Sequence, residues 1–286
     1  MRIGIIHSAY ARRCGEREYE TMRAHGYACA DYQGMIDTDG PLFAKSPLEF
    51  ARALWEERQR AAAAGVTIWQ AHGPWRYPPR DTTEEERAGR LSAMKRSIAG
   101  AAILGARYWV IHPIMPFGVG ADCRPEETRA MNRAFFGELL SAAHAYGVTI
   151  ALENMPFCDF CLSTPAQILS FVEEMNDPAL RICLDTGHAA VFREQPADSV
   201  RTVAPYLAAL HVHDNDGRGD RHEPPYTGWV DWDAFADALR EVRFDGVMSL
   251  ETEPKAAAQM PPEAAEHLYL ALAASARSLA DRAGRP

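Results

Sequence analysis

TRAMNRAFFGELLSAAHAYGVTIALE, residues 128–153, sets a helix and a strand back to back. Met131, Phe135, Leu139 and Ala143 recur at helical spacing, and Gly147 closes the run. The chain then passes straight through the apolar stretch Val148–Leu152 to Glu153. A strand that is apolar on both faces needs cover on both, such as helices on one side and a barrel interior on the other.

The unit recurs along the chain. We read strands at Arg2–His7, Tyr27–Tyr32, Val66–Ala71, Arg107–His112, Val148–Glu153, Leu180–Asp185, Leu207–His213 and Gly246–Glu251. Helical segments lie between them, among them SPLEFARALWEERQRAAAAG (46–65) and DWDAFADALREVRF (231–244). Ser46 and Thr164 each precede a proline as helix caps, and Gly65, Gly105 and Gly147 stand where helices stop. Strand starts fall about 25 to 41 residues apart, which suits βα units. Eight units in 286 residues, with no linker-like stretch, predict one (β/α)8 TIM barrel over residues 1–286. A doubly wound sheet is disfavoured because no G-x-G-x-x-G follows the first strand.

Composition agrees with a folded enzyme. Hydrophobic residues make up 47% and charged ones 24%, so disorder and collagen-like repeats are excluded. Apolar runs are broken by charges well short of a membrane span. The opening MRIGIIHSAYARRCGE reads as a strand running into a loop rather than a secretory signal, and a cytoplasmic protein is expected. The net charge of −9 argues against non-specific nucleic-acid binding. Six scattered cysteines predict no disulfide framework, and the lone Cys158-x-x-Cys161 has no second pair at zinc-ribbon spacing.

In such barrels chemistry sits at the C-terminal ends of the strands. Strand 3 ends in QAHGPW, with His72 and Trp75. Strand 4 ends at His112, strand 5 in Glu153-Asn154, and strand 6 in LDTGH, with Asp185 and His188. Strand 7 brings His211, His213 and Asp214, and strand 8 brings Glu251 and Glu253. Carboxylates crowded on one rim repel one another, so a shared cation is the natural resolution. Mixed oxygen and imidazole donors suit one divalent ion, Mn, Mg, Co or Zn. Glu153, Asp185, His211 and Glu251, from four successive strands, form the expected ligand set. Asn154, Thr186, His213 and Asp214 are expected to orient it, with His213 competing with His211 as ligand.

LENMP, LDTGH, HVHDNDG followed by DRH, and the final LET resemble the xylose-isomerase-like barrel superfamily, over more than half the chain. That superfamily includes ketose 3-epimerases, inosose dehydratases, hydroxypyruvate isomerases and endonuclease IV. The resemblance implies one ion held by Glu153, Asp185, His211 and Glu251. It makes Glu153 and Glu251 the catalytic acid/base pair and His188 a holder of substrate oxygens. His72, His112 and Trp75 would line the sugar pocket. A small carbohydrate is the implied partner, and a homo-oligomer is common in the family. The epimerases place an arginine a few residues after the strand-7 histidine. Here Gly217 stands there with Arg218 beside it, which makes Arg218 the candidate for that role.

Endonuclease IV resembles the chain through a wider set. His72, His112, Glu153, Asp185, His188, His211, Asp220, His222 and Glu251 match in type the residues that hold its three zinc ions, with Asp220 and His222 as the additional metal ligands. Trp75, Arg76 and Arg80 would then face DNA. The Asp220–His222 pair follows strand 7 more closely than in the nuclease, and sugar-acting relatives also carry these histidines. Sugar isomerisation or epimerisation is therefore the expected function. The alternatives are the three-zinc phosphodiesterase acting on abasic DNA and a dehydratase on the same site.

Elsewhere, Arg12 and Arg13 are expected to be solvated loop charges, and His25, His144 and His267 to be structural. His7 is read as either pocket lining or packing. The apolar loop Phe157–Leu162 is read as a pocket cap or a subunit contact, and Trp229 and Trp232 as pocket walls or helix packing.

Overall fold

The protein is described here from a computed structural model, covering residues 1–79, 81–120 and 122–284. Local sequence signals start and stop its helices. Ser46 caps α3 (Pro47–Ala63) by accepting from Glu49 N, while Glu49 returns to Ser46 N at 3.0 Å. Thr83 with Glu86 does the same for α4 (Glu84–Leu104), and Thr164 with Gln167 for α6 (Pro165–Met175). Gly105 and Gly147 end α4 and α5 (Pro125–Tyr146) at φ 74° and 67°, the left-handed turn that closes a helix. The shorter α1 (Ser8–Cys14) and α2 (Glu18–Ala24) fill the first crossover.

Eight parallel strands alternate with these helices: β1 Arg2–Ile6, β2 Cys29–Tyr32, β3 Thr67–His72, β4 Tyr108–Ile111, β5 Thr149–Glu153, β6 Leu180–Asp185, β7 Leu207–His211 and β8 Val247–Leu250. They pair in the order β7-β6-β5-β4-β3-β2-β1-β8. The last seam is narrow. Val212 N donates to Ser249 O at 2.9 Å, and Glu251 N donates to Val212 O at 3.0 Å. Regular pairing in strand 7 thus stops at His211, earlier than the expected His213, and the ring closes through the residue between the two histidines.

Alternation sorts the side chains. Ile150, Leu152, Ile182 and Leu184 face the helices in the large outer core. Val110, Ala151, Cys183 and Ala209 face inward and form a separate, smaller cluster. These small residues leave room above them for Glu153, Asp185 and His211, one pleat further toward the C-terminal rim. At the opposite end the Arg2 and Arg107 guanidiniums cover Trp69, 4.4 and 5.6 Å from its ring centroid.

Three further expectations are decided by packing. Phe160 and Leu162 of the apolar loop turn into the core, and Phe157 stacks on Tyr77 at 5.3 Å. Trp232 is buried at the start of the helix Trp232–Glu241 and donates to Asp214, so it packs the helix rather than narrowing the pocket. Cys158 and Cys161 are both free.

Candidate metal centre

The LDTGH and HVHD segments build the site by interlocking. Asp185 ends β6 and caps the short α7 (Thr186–Val191), its Oδ1 accepting from His188 N at 2.6 Å. Asn154 holds the backbone of Asp185 from both sides, donating to its O at 3.0 Å and accepting from its N at 2.8 Å. Thr186 Oγ1 donates to His213 O at 2.7 Å. Gly187 leaves space for the His213 ring, since an added Cβ would lie 1.9 Å from its Cε1.

One compact group is Glu153, Asp185, His211 and Glu251, with one donor atom from each within 4.8 Å of the rest. His211 Nδ1 lies 2.8 Å from Glu153 Oε1 and 3.1 Å from Glu251 Oε2, while its Nε2 lies 2.7 Å from Asp31 Oδ2. Burial opposes charge on His211, but the carboxylates around it hold it protonated, well above the usual imidazole range. The Nε2 proton belongs to the bond with Asp31, and an entering cation would take the place of the Nδ1 proton. Burial opposes charge on Glu153, yet His211 and His112 hold its carboxyl well below the usual range. Burial likewise raises Glu251, and His211 reverses the direction. The group therefore gathers three buried carboxylates around one imidazole, an excess of negative charge that a divalent cation offsets.

Glu153 also belongs to a second group, with His72 and His112. Its Oε2 is buried and accepts no hydrogen bond, although His112 Nε2 is 3.0 Å away and His72 Nε2 3.6 Å. Three donor atoms converging on one point in this way could hold a metal ion. His72 Nδ1 bonds Gly73 O at 2.8 Å, which leaves its Nε2 for the centre. Burial pushes His112 down to about 4, so its imidazole is neutral at pH 7.

The third group is His188, His213, Asp220 and His222. His188 Nδ1 bonds Asn154 O and His222 Nδ1 bonds Glu251 O, each at 2.8 Å. Both Nε2 atoms then converge on Asp220 Oδ2, at 3.3 and 3.1 Å. Burial lowers His188, but Asp185 and Asp220 outweigh it and raise it to about 10. Burial lowers His222 too, and Asp220 and Glu251 raise it to about 9. His213 sits here, 2.9 Å from Asp185, rather than contesting the place of His211.

The remaining sequence candidates fall into place around these groups. Trp75 lies 4.3 Å from His112, ring centroid to centroid. Arg218 is exposed, in a turn where its N–H bonds Asp216, and is not drawn into any of the groups. Arg12 pairs with Glu253 at 2.6 Å, and Arg13 with Glu266 at 2.5 Å. His7 stacks on Tyr32, which answers its reading as packing. Arg80 lies outside the described residues.

Asp31 and Gln33 were not singled out by the sequence reading. Gln70 Nε2 donates to Asp31 at 3.0 Å, and Gln33 Nε2 donates to Glu251 Oε1 at 3.3 Å, itself held by Ser8 at 2.7 Å. The available signal was one carboxylate inside the apolar strand YACADY. A carboxylate behind a ligating histidine fixes its tautomer and basicity. Asp31→Asn is expected to weaken cation binding about 10–100-fold, read by chelator competition with cobalt or zinc. Unchanged affinity would remove Asp31 from this role.

Residues 20–271 match the family described as xylose isomerase-like TIM barrel. The chain belongs to that family. A D-psicose 3-epimerase of Ruminiclostridium cellulolyticum is 24% identical over 242 residues, 78% of each chain. The ketose 3-epimerase of Arthrobacter globiformis is 30% identical over 125 residues, 43% of this chain and 41% of that one. The uncharacterized protein MJ1311 of Methanocaldococcus jannaschii is 28% identical, over 61% of this chain and only 60% of its own length. Among solved structures, a D-tagatose 3-epimerase-like protein aligns with TM-score 0.72 and 24% identity over 96% of this chain and 98% of its own. The IOLI protein, solved with a zinc atom, aligns with TM-score 0.74 and 20% identity over 99% and 98%. At these identities the solved structures speak for the fold of the xylose isomerase-like barrels. No helix among the described residues is long and apolar enough to cross a membrane.

Proposed function

We propose that the protein is a divalent-metal-dependent isomerase or epimerase of a sugar, sugar phosphate or related polyol. The observation that carries this reading is the pair Glu153 and Glu251, two carboxylates that lie 2.8 and 3.1 Å from the same His211 Nδ1. Its support among relatives is the ketose and psicose 3-epimerases. Glu153, Asp185, His211 and Glu251 would hold the cation. When bound, the ion polarises a carbonyl and its neighbouring hydroxyl and makes the C–H between them more acidic.

The chain supplies the proton transfers. Both glutamates are held ionised by His211, so either is ready to accept the carbon-bound proton. For isomerisation the same glutamate would return that proton to the adjacent carbon. For epimerisation the partner glutamate would take a proton from solvent and deliver it to the opposite face, while the first releases the abstracted proton to solvent. Glu251 is 9% exposed against 1% for Glu153, which makes it the more accessible of the pair at the barrel mouth. Trp75 offers an apolar wall beside His112.

One observation favours a second reading. The other two groups, His72–His112–Glu153 and His188–His213–Asp220–His222, are also compact enough for an ion each. Three ions would suit hydrolysis of a phosphodiester such as abasic DNA. Elemental analysis of protein purified without added metal separates the two. We expect about one divalent ion per chain, with His222→Ala retaining most of it. About three zinc ions per chain, one of them lost in His222→Ala, would replace the isomerase reading by the phosphodiesterase one.

A further inference from the structure

Beside the metal groups lies a cavity of about 550 Å³ between the loops after β2 and β3 and the first half of α4. Trp75 is the shared element. It packs on His112 and also lines this cavity, together with Ile36, Asp37, Arg76, Glu85 and Gly89. The proposed reaction uses none of the others. The volume is within the range of small-molecule sites, about 300–1,000 Å³.

The lining narrows what fits. Its two guanidiniums are already committed: Arg90 pairs with the buried Asp81, and Arg76 with Asp39 at 3.4 Å. Arg90 also lies over the Trp75 ring, 5.6 Å from its centroid. Asp37 and Glu85 have no ion-pair partner among the described residues, so the wall carries excess negative charge. Such a wall repels a phosphate or a nucleic-acid backbone. Carboxylates accept hydrogen bonds from hydroxyl groups, while an indole and Ile36 offer apolar area to the C–H face of a ring. The occupant that satisfies both demands is neutral, ring-shaped and rich in hydroxyls.

We infer that this cavity is a second sugar subsite, binding an uncharged glycosyl unit across Trp75 from the metal centre. Resting on the isomerase reading above, it makes the substrate a glycoside or disaccharide, with its reacting sugar at Glu153 and Glu251 and its glycosyl unit in the cavity.

Gly89 supplies the test. It lies on the exposed side of α4, and an added Cβ there meets nothing within 4 Å. Gly89→Phe therefore fills the cavity from one side without touching any group that binds the ion, and a helix interior tolerates Phe better than Gly. The probe is methyl β-D-glucopyranoside, titrated into the zinc-loaded protein. Its binding is read from the indole N–H resonance of Trp75, which Trp75→Phe identifies by its loss. We expect saturable shifts of this resonance in the wild type and at least tenfold weaker binding in Gly89→Phe, which keeps its melting temperature. No shift in the wild type, or equal shifts in Gly89→Phe, overturns the subsite and leaves the isomerase reading intact. Kinetics address that reading separately. A glucosyl-substituted ketose should show at least tenfold higher kcat/KM than fructose, an advantage Gly89→Phe abolishes. Absence of turnover on both sugars would count against the isomerase reading, whatever the glucoside titration shows.

Discussion

Glu153→Gln should lower turnover of a sugar substrate by about 10²–10⁴-fold at saturating metal. The change preserves shape and removes the charge that His211 and His112 face at 2.8 and 3.0 Å. As the proton acceptor, the carboxylate is needed in its ionised form, and an amide takes up no proton at neutral pH. As a ligand, it would belong both to the His211 group and to the His72–His112 group, so the variant should also bind ions more weakly. Measuring rate against metal concentration separates the two effects. A rate restored fully by added metal would leave Glu153 as a ligand only and end its acid/base role.

Ion removal should give the second large effect. Without a cation, Glu153, Asp185 and Glu251 remain buried beside one another, with His211 the common neighbour of the two glutamates. A ligand at 100 times its Kd stabilises the folded state by about 2.7 kcal/mol. For a chain of this size that corresponds to roughly 5–10 °C in melting temperature. Stripping with a chelator and restoring Mn, Co or Zn should lower and recover Tm by that amount. Identical melting curves in the two states would contradict a resident ion.

The sign of the pH dependence follows from the third group. In the ion-free protein His188 titrates at about 10 and His222 at about 9, so both are protonated at pH 7. An ion entering there must displace those protons, and its apparent affinity falls as pH is lowered. In the second group His112, at about 4, is neutral, while Glu153 outweighs burial and raises His72, so any proton released there comes from His72. Zinc titrated into weakly buffered protein should therefore release protons as the third group and the His211 group fill, since His211 too is held protonated.

The rhythm of βα units was legible because it is written locally. Ser46, Thr83 and Thr164 cap helices through residues three positions away, and Gly105 and Gly147 stop them within one turn. The same holds for the rim. A residue that ends an inward-facing strand register reaches the mouth whatever its neighbours are, so Glu153, Asp185 and Glu251 could be named from strand ends alone, while strand 7 offered both His211 and His213. The LDTGH turn was readable for the same reason, since Asp185 caps the helix that carries His188.

Partnership was not legible. His211 and His213 are equivalent in sequence, two residues apart on one strand. Ring closure separates them, because Val212 pairs with β8 and leaves His211 in the barrel and His213 against Gly187. Asp31 acts on His211 across 180 residues, and Gln33 on Glu251 across 218. No local pattern marks such pairs. The chain alone determined its elements, its barrel and the chemistry delivered to one rim, because those follow from short-range periodicity and capping. Only the closed barrel decided which histidine faces which carboxylate and what stands behind it, because those distances exist only once the first and last strands meet.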